Sequence, residues 1–291
     1  KWAATAGNMS SSSMGFNAHD RILKIYCTKL QQNHLAFKLQ GDIVNAVSHL
    51  TPIRQGDIVN PETFAEWQKR QGNLVFQTPS TYWCEANTRV LQAFPYDRLI
   101  SPSEEELKDL VLRKHILALR YSTPLDSPCG KLSYHVYIQR PYDINDVWNK
   151  ERKSVLKGLS HADFRPISFT QLATEGWLLQ EDTLRRQNRT SSMNQKTWET
   201  LCLAAENLPG FEVWGGFIGT ELAAALFTVR IGSSYHMLYE TSHRKFKSYQ
   251  VNAALFYHVT CEYLSRQGID EVFFTLESLD AHKNIDLFKF R

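Results

Sequence analysis

Between Phe211 and Ser242 the chain reads FEVWGGFIGTELAAALFTVRIGSSYHMLYETS, three apolar, β-rich runs separated by Gly219-Thr220 and Gly232-Ser233. Glycine turns between such runs are hairpin signals, so the spacing predicts a three-strand meander. On either side the apolar positions follow helical spacing. YQVNAALFYHVTCEYLSRQG is a helix stopped by glycine, and NQKTWETLCLAAENLPG is one closed by Pro-Gly. QLATEGWLLQEDTLRRQNR reads as a helix capped by Thr170, and DINDVWNKERKSVLKGLSH as one with Asp143 as its cap. The runs KLSYHVYIQ, FRPIS and DEVFFTLES read as strands, and DAHKNIDLFKFR as the start of a further helix. The order is strand, helix, strand, two helices, meander, helix, strand, helix. A meander combined with crossovers implies an α/β fold with a mixed sheet covered by helices on both faces.

The earlier part of the chain has its own alternation. PETFAEWQKRQG begins with proline and ends before glycine, as helices do. NLVFQT and TYWCEANTRVLQAF read as strands with a turn around Glu85–Thr88, and SPSEEELKDLVLRKH is a helix with acids in its first turn and bases in its last. ILALRYST is a buried strand, and PLDSPCGK has the turn residues of a surface connection. Two domains are therefore expected, 15–130 and 131–291. KWAATAGNMSSSSMGFNAHD reads as a lead-in to the first, and the last residues stop inside an amphipathic pattern with no breaker.

Composition narrows the function classes. A hydrophobic content of 43% over 291 residues belongs to a folded chain, and a net charge of +3 gives no global argument for nucleic-acid binding. Cys27, Cys84, Cys129, Cys202 and Cys261 are scattered and fit reduced thiols in a cytoplasmic protein. Neither they nor the ten histidines form a metal set; His258 and Glu262 lack the second histidine of a zincin. Glu212, Glu221 and Arg230 interrupt the meander too often for a membrane span. GGFIG would have to open a helix to hold a dinucleotide, whereas the β-prone LFTVRI follows it.

Several strings together resemble the GNAT acyltransferase fold, in its two-domain branch related to the Fem-type peptidoglycan-bridge aminoacyltransferases. PYDINDVWNKERKSVLKGL is similar to that group's P-Y-D followed by a K-x-R-x-x-x-(K/R)-G-L helix. EGWLLQEDTLRRQNR resembles its D-T-x-x-R-Q segment, PGFEVWGGFIGTELAAALF its W-G hairpin, and ESLDAHKNIDLFKFR its terminal F-K signature. The resemblance spans about residues 75 to 291 and implies tandem GNAT-like domains that transfer an acyl or aminoacyl group to an amine. The implied donor is acyl-CoA or an acyl carrier protein, with aminoacyl-tRNA as a second possibility, and direct attack without a metal.

In such a fold the sheet splays after the third meander strand. That places Leu238, Tyr239 and Thr241 beside the donor and makes Glu240 the candidate base. Glu277 and Ser278 would face the same cleft as base or leaving-group acid, and Tyr249 is a further candidate acid. The family's CoA loop, (R/Q)-x-x-G-x-(G/A), is read here as Ser248-Tyr249-Gln250-Val251-Asn252-Ala253, with serine and valine at key places. Ser248, Asn252 and the basic Arg244, Lys245 and Lys247 are then the donor's phosphate contacts. Lys150, Arg152, Lys153 and Lys157, like Arg185, Arg186 and Arg189, form either solvated faces or contacts to an anionic acceptor, carrier protein or tRNA. The rival functions are an aminoacyl-tRNA-dependent Fem-type enzyme acting on a cell-wall precursor, and a non-catalytic binding module of the same fold.

Overall fold

The computed structural model describes residues 24–30, 61–124, 126–127, 131–133, 135–189 and 193–276. They form two six-stranded mixed sheets with helices packed on them.

In the first sheet, β1 (Lys24–Leu30) lies between two later strands. Helix α1 (Pro61–Arg70) precedes an antiparallel meander of β2 (Val75–Gln77), β3 (Tyr82–Asn87) and β4 (Val90–Phe94). Helix α2 (Glu104–Lys114) is capped by Ser103, whose Oγ accepts from the Glu106 N–H at 3.1 Å. It carries the chain to β5 (Ala118–Thr123), parallel to β4. With β6 (Lys131–Ser133) the strand order is β2-β3-β4-β5-β1-β6.

The second sheet contains β7 (His135–Gln139), β8 (Asp163–Pro166), the long meander β9 (Phe211–Ile218), β10 (Glu221–Ile231) and β11 (Ser234–Ser242), and β12 (Glu271–Leu276). Its order is β7-β12-β11-β10-β9-β8. The helices are α3 (Asn149–Leu159), α4 (Phe169–Thr174), α5 (Gly176–Arg186), α6 (Gln195–Leu203) and α7 (Val251–Ser265), with a 3-10 turn over Arg244–Tyr249 before α7. Both sheets repeat one plan: an antiparallel meander, a helix, and a strand returning parallel to the meander's third strand. The hairpin glycines are confirmed, since Gly219 and Gly232 adopt φ of +59° and +61° at the two meander turns.

The two halves share a core. Phe64, Trp67 and Phe94 pack with Trp198, Phe211 and Phe227 in a single cluster, and Trp67 Nε1 donates to the Leu201 carbonyl at 3.0 Å. The opposite face of the second sheet packs Leu226, Tyr235 and Val272 against Leu255, Val259 and Tyr263 of α7.

Several boundaries differ from the sequence reading. Helix α3 begins at Asn149, and Asp143 does not cap it. Its carboxylate instead accepts from the Asn145 N–H at 2.6 Å, a local turn that competes with helix. Ser168, and not Thr170, caps the next helical stretch, its Oγ accepting from the Gln171 N–H at 3.0 Å. That stretch divides into α4 and α5 at Glu175-Gly176, where Gly176 has no room for a Cβ against Leu172. The run KLSYHVYIQ also divides: Lys131–Ser133 pairs with β1 in the first sheet, and His135–Gln139 pairs with β12 in the second. The N-terminal lead-in and the closing helix DAHKNIDLFKFR lie outside the described residues. No helix among the described residues is long and apolar enough to cross a membrane.

Candidate active site

Parallel pairing between β11 and β12 covers only Ser234–Glu271, Tyr235–Val272 and His236–Phe273. Beyond that point β12 continues its ladder with β7, and β11 runs on beside β10, so the sheet opens between them. A β-bulge marks the opening. Met237 faces Thr228 and Tyr239 faces Phe227, which leaves Leu238 as the extra residue. An extra residue reverses the alternation of side chains. Before the bulge Tyr235 stacks on Tyr263 of α7, with ring centroids 3.6 Å apart. After it Tyr239 packs on the other face, against Trp198 and Phe227. The shift turns Glu240 toward α7.

There Asn252, in the first turn of α7, donates its Nδ2 hydrogen to Glu240 Oε1. Burial pushes the Glu240 carboxyl up to about 7, against the opposing effects of the Asn252 hydrogen bond and the Arg186 charge. A carboxyl that titrates near neutrality is matched to moving a proton at physiological pH. The buried Asn252 Oδ1 has no hydrogen-bond partner among the described residues.

Beside this pair lies a small open cleft of about 130 Å³, lined by Arg186, Ser242, Arg244, Lys247, Gln250 and Asn252 among others. Gln250 ends the 3-10 turn in the left-handed region, φ 61°, and α7 starts immediately after it. The first N–H groups of a helix have no intrahelical acceptors and, with the helix dipole, favour an anion. Two glycines position this helix end. A Cβ on Gly158 of α3 would come within 2.6 Å of the Gln250 carbonyl oxygen, and one on Gly216 of β9 within 2.8 Å of Val251 Cγ1. These glycines give the W-G and K-G-L strings a physical reason: close approach to the start of α7. Gly215 and Gly216 are thus mid-strand packing positions and do not form turns.

The D-T-x-x-R string is explained by the same region. Asp182 is 5% exposed and accepts from the Arg186 Nε and from the Arg244 backbone N–H, each at 3.0 Å, and from the Arg244 side chain. Thr183 Oγ1 bonds both the N–H and the carbonyl of Ser242, and Arg186 donates to the Ser242 carbonyl at 2.7 Å. Burial alone would raise the Asp182 carboxyl, but the Arg244 hydrogen bonds and charge, with Arg186, hold it below the usual carboxylate value. Helix α5 therefore fixes the end of β11 where it leaves the sheet.

The structure brings together Glu240, Asn252, Arg244 and Lys247, and sets other candidates apart. Lys245 forms an ion pair with Glu221 on the surface and does not line the cleft. Ser248 and Tyr249 are exposed, with the Tyr249 ring against His161. Leu238 and Tyr239 pack into the shared core, and Thr241 is buried with its Oγ1 unpartnered among the described residues. Glu277 and Ser278 lie outside the described residues. Asp182, Thr183 and Gln250 were not singled out from the sequence, and Arg186 was read there only as one cation of a basic face. No group of three His, Cys, Asp or Glu able to hold a metal occurs among the described residues. His258 packs against Phe164 at 5.1 Å, and burial raises the Cys84 thiol to about 12.

No family model matches the chain, and no curated protein does. Among solved structures it is similar to FemX, at 11% identity over 78% of this chain and 86% of that one, with a TM-score of 0.49. It is also similar to the C-terminal DUF2156 domain of a lysylphosphatidylglycerol synthetase from Agrobacterium fabrum. That match has 10% identity over 76% and 75% of the two chains, with a TM-score of 0.44. A third likeness is to the PaiA N-acetyltransferase of Thermoplasma acidophilum in complex with coenzyme A, at 11% identity over 44% and 86%, with a TM-score of 0.35. At TM-scores below 0.5 these likenesses carry no inference about activity.

Proposed function

We propose that the chain is a GNAT-like N-acyltransferase that moves an acyl group from a thioester donor to an amine by direct attack. The observation that supports this best is Glu240, titrating near 7 at the open end of a splayed parallel pair and tied to the first turn of α7. An amine is protonated at neutral pH and must lose a proton before it can attack. Glu240 as carboxylate takes that proton. The free nitrogen then adds to the thioester carbonyl, and the backbone of β11 beyond His236, facing the opening, is where an oxyanion would find N–H donors. Collapse breaks the C–S bond. The thiolate leaves, and the proton lost by the new amide nitrogen neutralises it.

The cleft next to Glu240 suits the phosphate end of a phosphopantetheine donor, because Arg186, Arg244 and Lys247 converge there with the start of α7. Val251 stands where a CoA-binding turn has glycine, and its side chain is buried against Gly216. That favours a donor held by one phosphate, as on an acyl carrier protein, over one requiring a pyrophosphate cradle. The expected setting is the cytoplasm, where such donors are made.

Thiol release from acetyl-CoA or an acetylated carrier protein, with a panel of primary amines, tests the reading. Glu240→Gln is expected to lower turnover by about 10²–10⁴-fold, the usual contribution of a general base. Full turnover by that variant with a productive donor and acceptor would show that Glu240 is not the base.

A further inference from the structure

Helix α3 presents a second feature that the transfer chemistry leaves unused. Lys150, Lys153, Leu156 and Lys157 recur at helical spacing on its outer face, and all four are exposed. Leu156 is 51% exposed, and Trp148, immediately before the helix, is 41% exposed. Three lysines thus form a row along a helix about 16 Å long, the length of 11 residues, with Leu156 beside the row and Trp148 at its N-terminal end. The stripe adjoins the cleft. Gly158, on the inner face of α3, rests against the Gln250 carbonyl that lines it. His161, just past the helix end, packs on Tyr249 of the basic 3-10 turn.

We infer that the outer face of α3 docks a small acidic carrier protein, whose phosphopantetheine arm enters the neighbouring cleft toward Glu240. This rests on the acyltransferase reading and adds how the donor is delivered. Charge complementarity selects the partner: a row of lysines flanked by exposed apolar side chains matches an amphipathic helix with an acidic edge. RNA fits less well. Trp148 is the single exposed aromatic ring of this stripe and already carries Lys150 Nζ 5.1 Å from its centroid, whereas strand binding needs several rings for successive bases. With two apolar side chains among three lysines, the stripe is too polar to enter a bilayer surface.

The test uses the full chain carrying Lys150→Glu, Lys153→Glu and Lys157→Glu together, with a matching triple Lys→Gln variant in case charge reversal disturbs folding. The probes are a purified acidic acyl carrier protein bearing an acetyl-phosphopantetheine thioester, and acetyl-CoA as a donor without a carrier. The carrier's dissociation constant is expected to rise about tenfold or more in the Glu variant and less in the Gln variant, with a flatter salt dependence in both. Transfer from acetyl-CoA should change less than about twofold, since none of the three lysines lines the cleft. Absent or unaltered carrier binding overturns the docking inference. So does lysine-dependent binding of total tRNA or phosphatidylglycerol vesicles in its place. Carrier binding is titrated directly, so a native chain that binds the carrier but transfers from neither donor would overturn the catalytic reading and leave the docking one standing.

Discussion

Glu240→Gln has a consequence that needs no substrate to observe. In the unfolded chain the carboxyl has its ordinary value of 4.5, and in the folded protein burial raises it to about 7. The folded state therefore binds the proton more tightly. This group's contribution to stability is most favourable below pH 4.5, falls as pH rises toward 7, and levels off above that. Between pH 5 and pH 8 the two values predict a loss of about 2.5 kcal/mol from this one residue, at about 1.4 kcal/mol per unit. Glutamine cannot ionise and keeps the shape, so the variant escapes the loss. Urea denaturation of both proteins at pH 5 and pH 8 isolates the effect, because every other titrating group cancels in the difference. The variant's stability relative to the native chain should improve by about 2.5 kcal/mol from pH 5 to pH 8. The more stable protein at pH 8 should be the inactive one. Equal differences at the two pH values would mean that Glu240 titrates as an ordinary surface carboxyl, and its assignment as a near-neutral base would fall with it.

Three further outcomes follow from the same geometry. Gly158→Ala places a methyl group against Ala254 and the Gln250 carbonyl, and should cost about 1–3 kcal/mol in chemical denaturation; no change would mean that α3 does not press on the start of α7. Asp182→Asn removes the charge shared by Arg186 and Arg244, and should lengthen the ties to Ser242. Because that carboxyl is held low in the folded state, the stability it adds is present above its ordinary value of 3.8 and is lost as pH falls through that region. The native and variant proteins should therefore converge in stability in acid, as followed by circular dichroism. Lys245→Ala should leave donor affinity and stability within about 0.5 kcal/mol, since its partner Glu221 is equally exposed, whereas Lys247→Ala should weaken donor binding in calorimetry.

Features set by local chemistry were legible in the sequence. Gly219 and Gly232 announce their turns, and the acidic first turn announces α2. The meander, crossover helix and returning strand could be ordered from patterning alone, whereas Glu240 was singled out only through the family resemblance. What escaped depends on distant partners or on small backbone irregularities. An added residue at Leu238 leaves no mark in a run of β-formers, yet it decides which face Tyr239 and Glu240 occupy. Asp143 looks like a cap until its carboxylate is seen closing its own turn. Arg244, Lys245 and Lys247 look equivalent as a string. In a 3-10 turn, however, residues three apart share a face, so Arg244 and Lys247 line the cleft together and Lys245 does not. Arg186 resembles Arg185 on a surface helix, and its bonds to buried Asp182 and across to Ser242 distinguish it.

The shared core also bears on how the chain is made. Phe64 and Trp67 of α1 are fully covered only once Trp198, Phe211 and Phe227 have joined them, residues that emerge from the ribosome on the order of 130 positions later. The half synthesised first can pair its strands yet leaves these aromatic side chains partly bare until the second half arrives. During that interval the nascent chain presents a sticky surface of the kind that chaperones shield. A gene fragment ending near residue 133 would keep that surface for good. The second sheet thus serves the first as a wall of its interior.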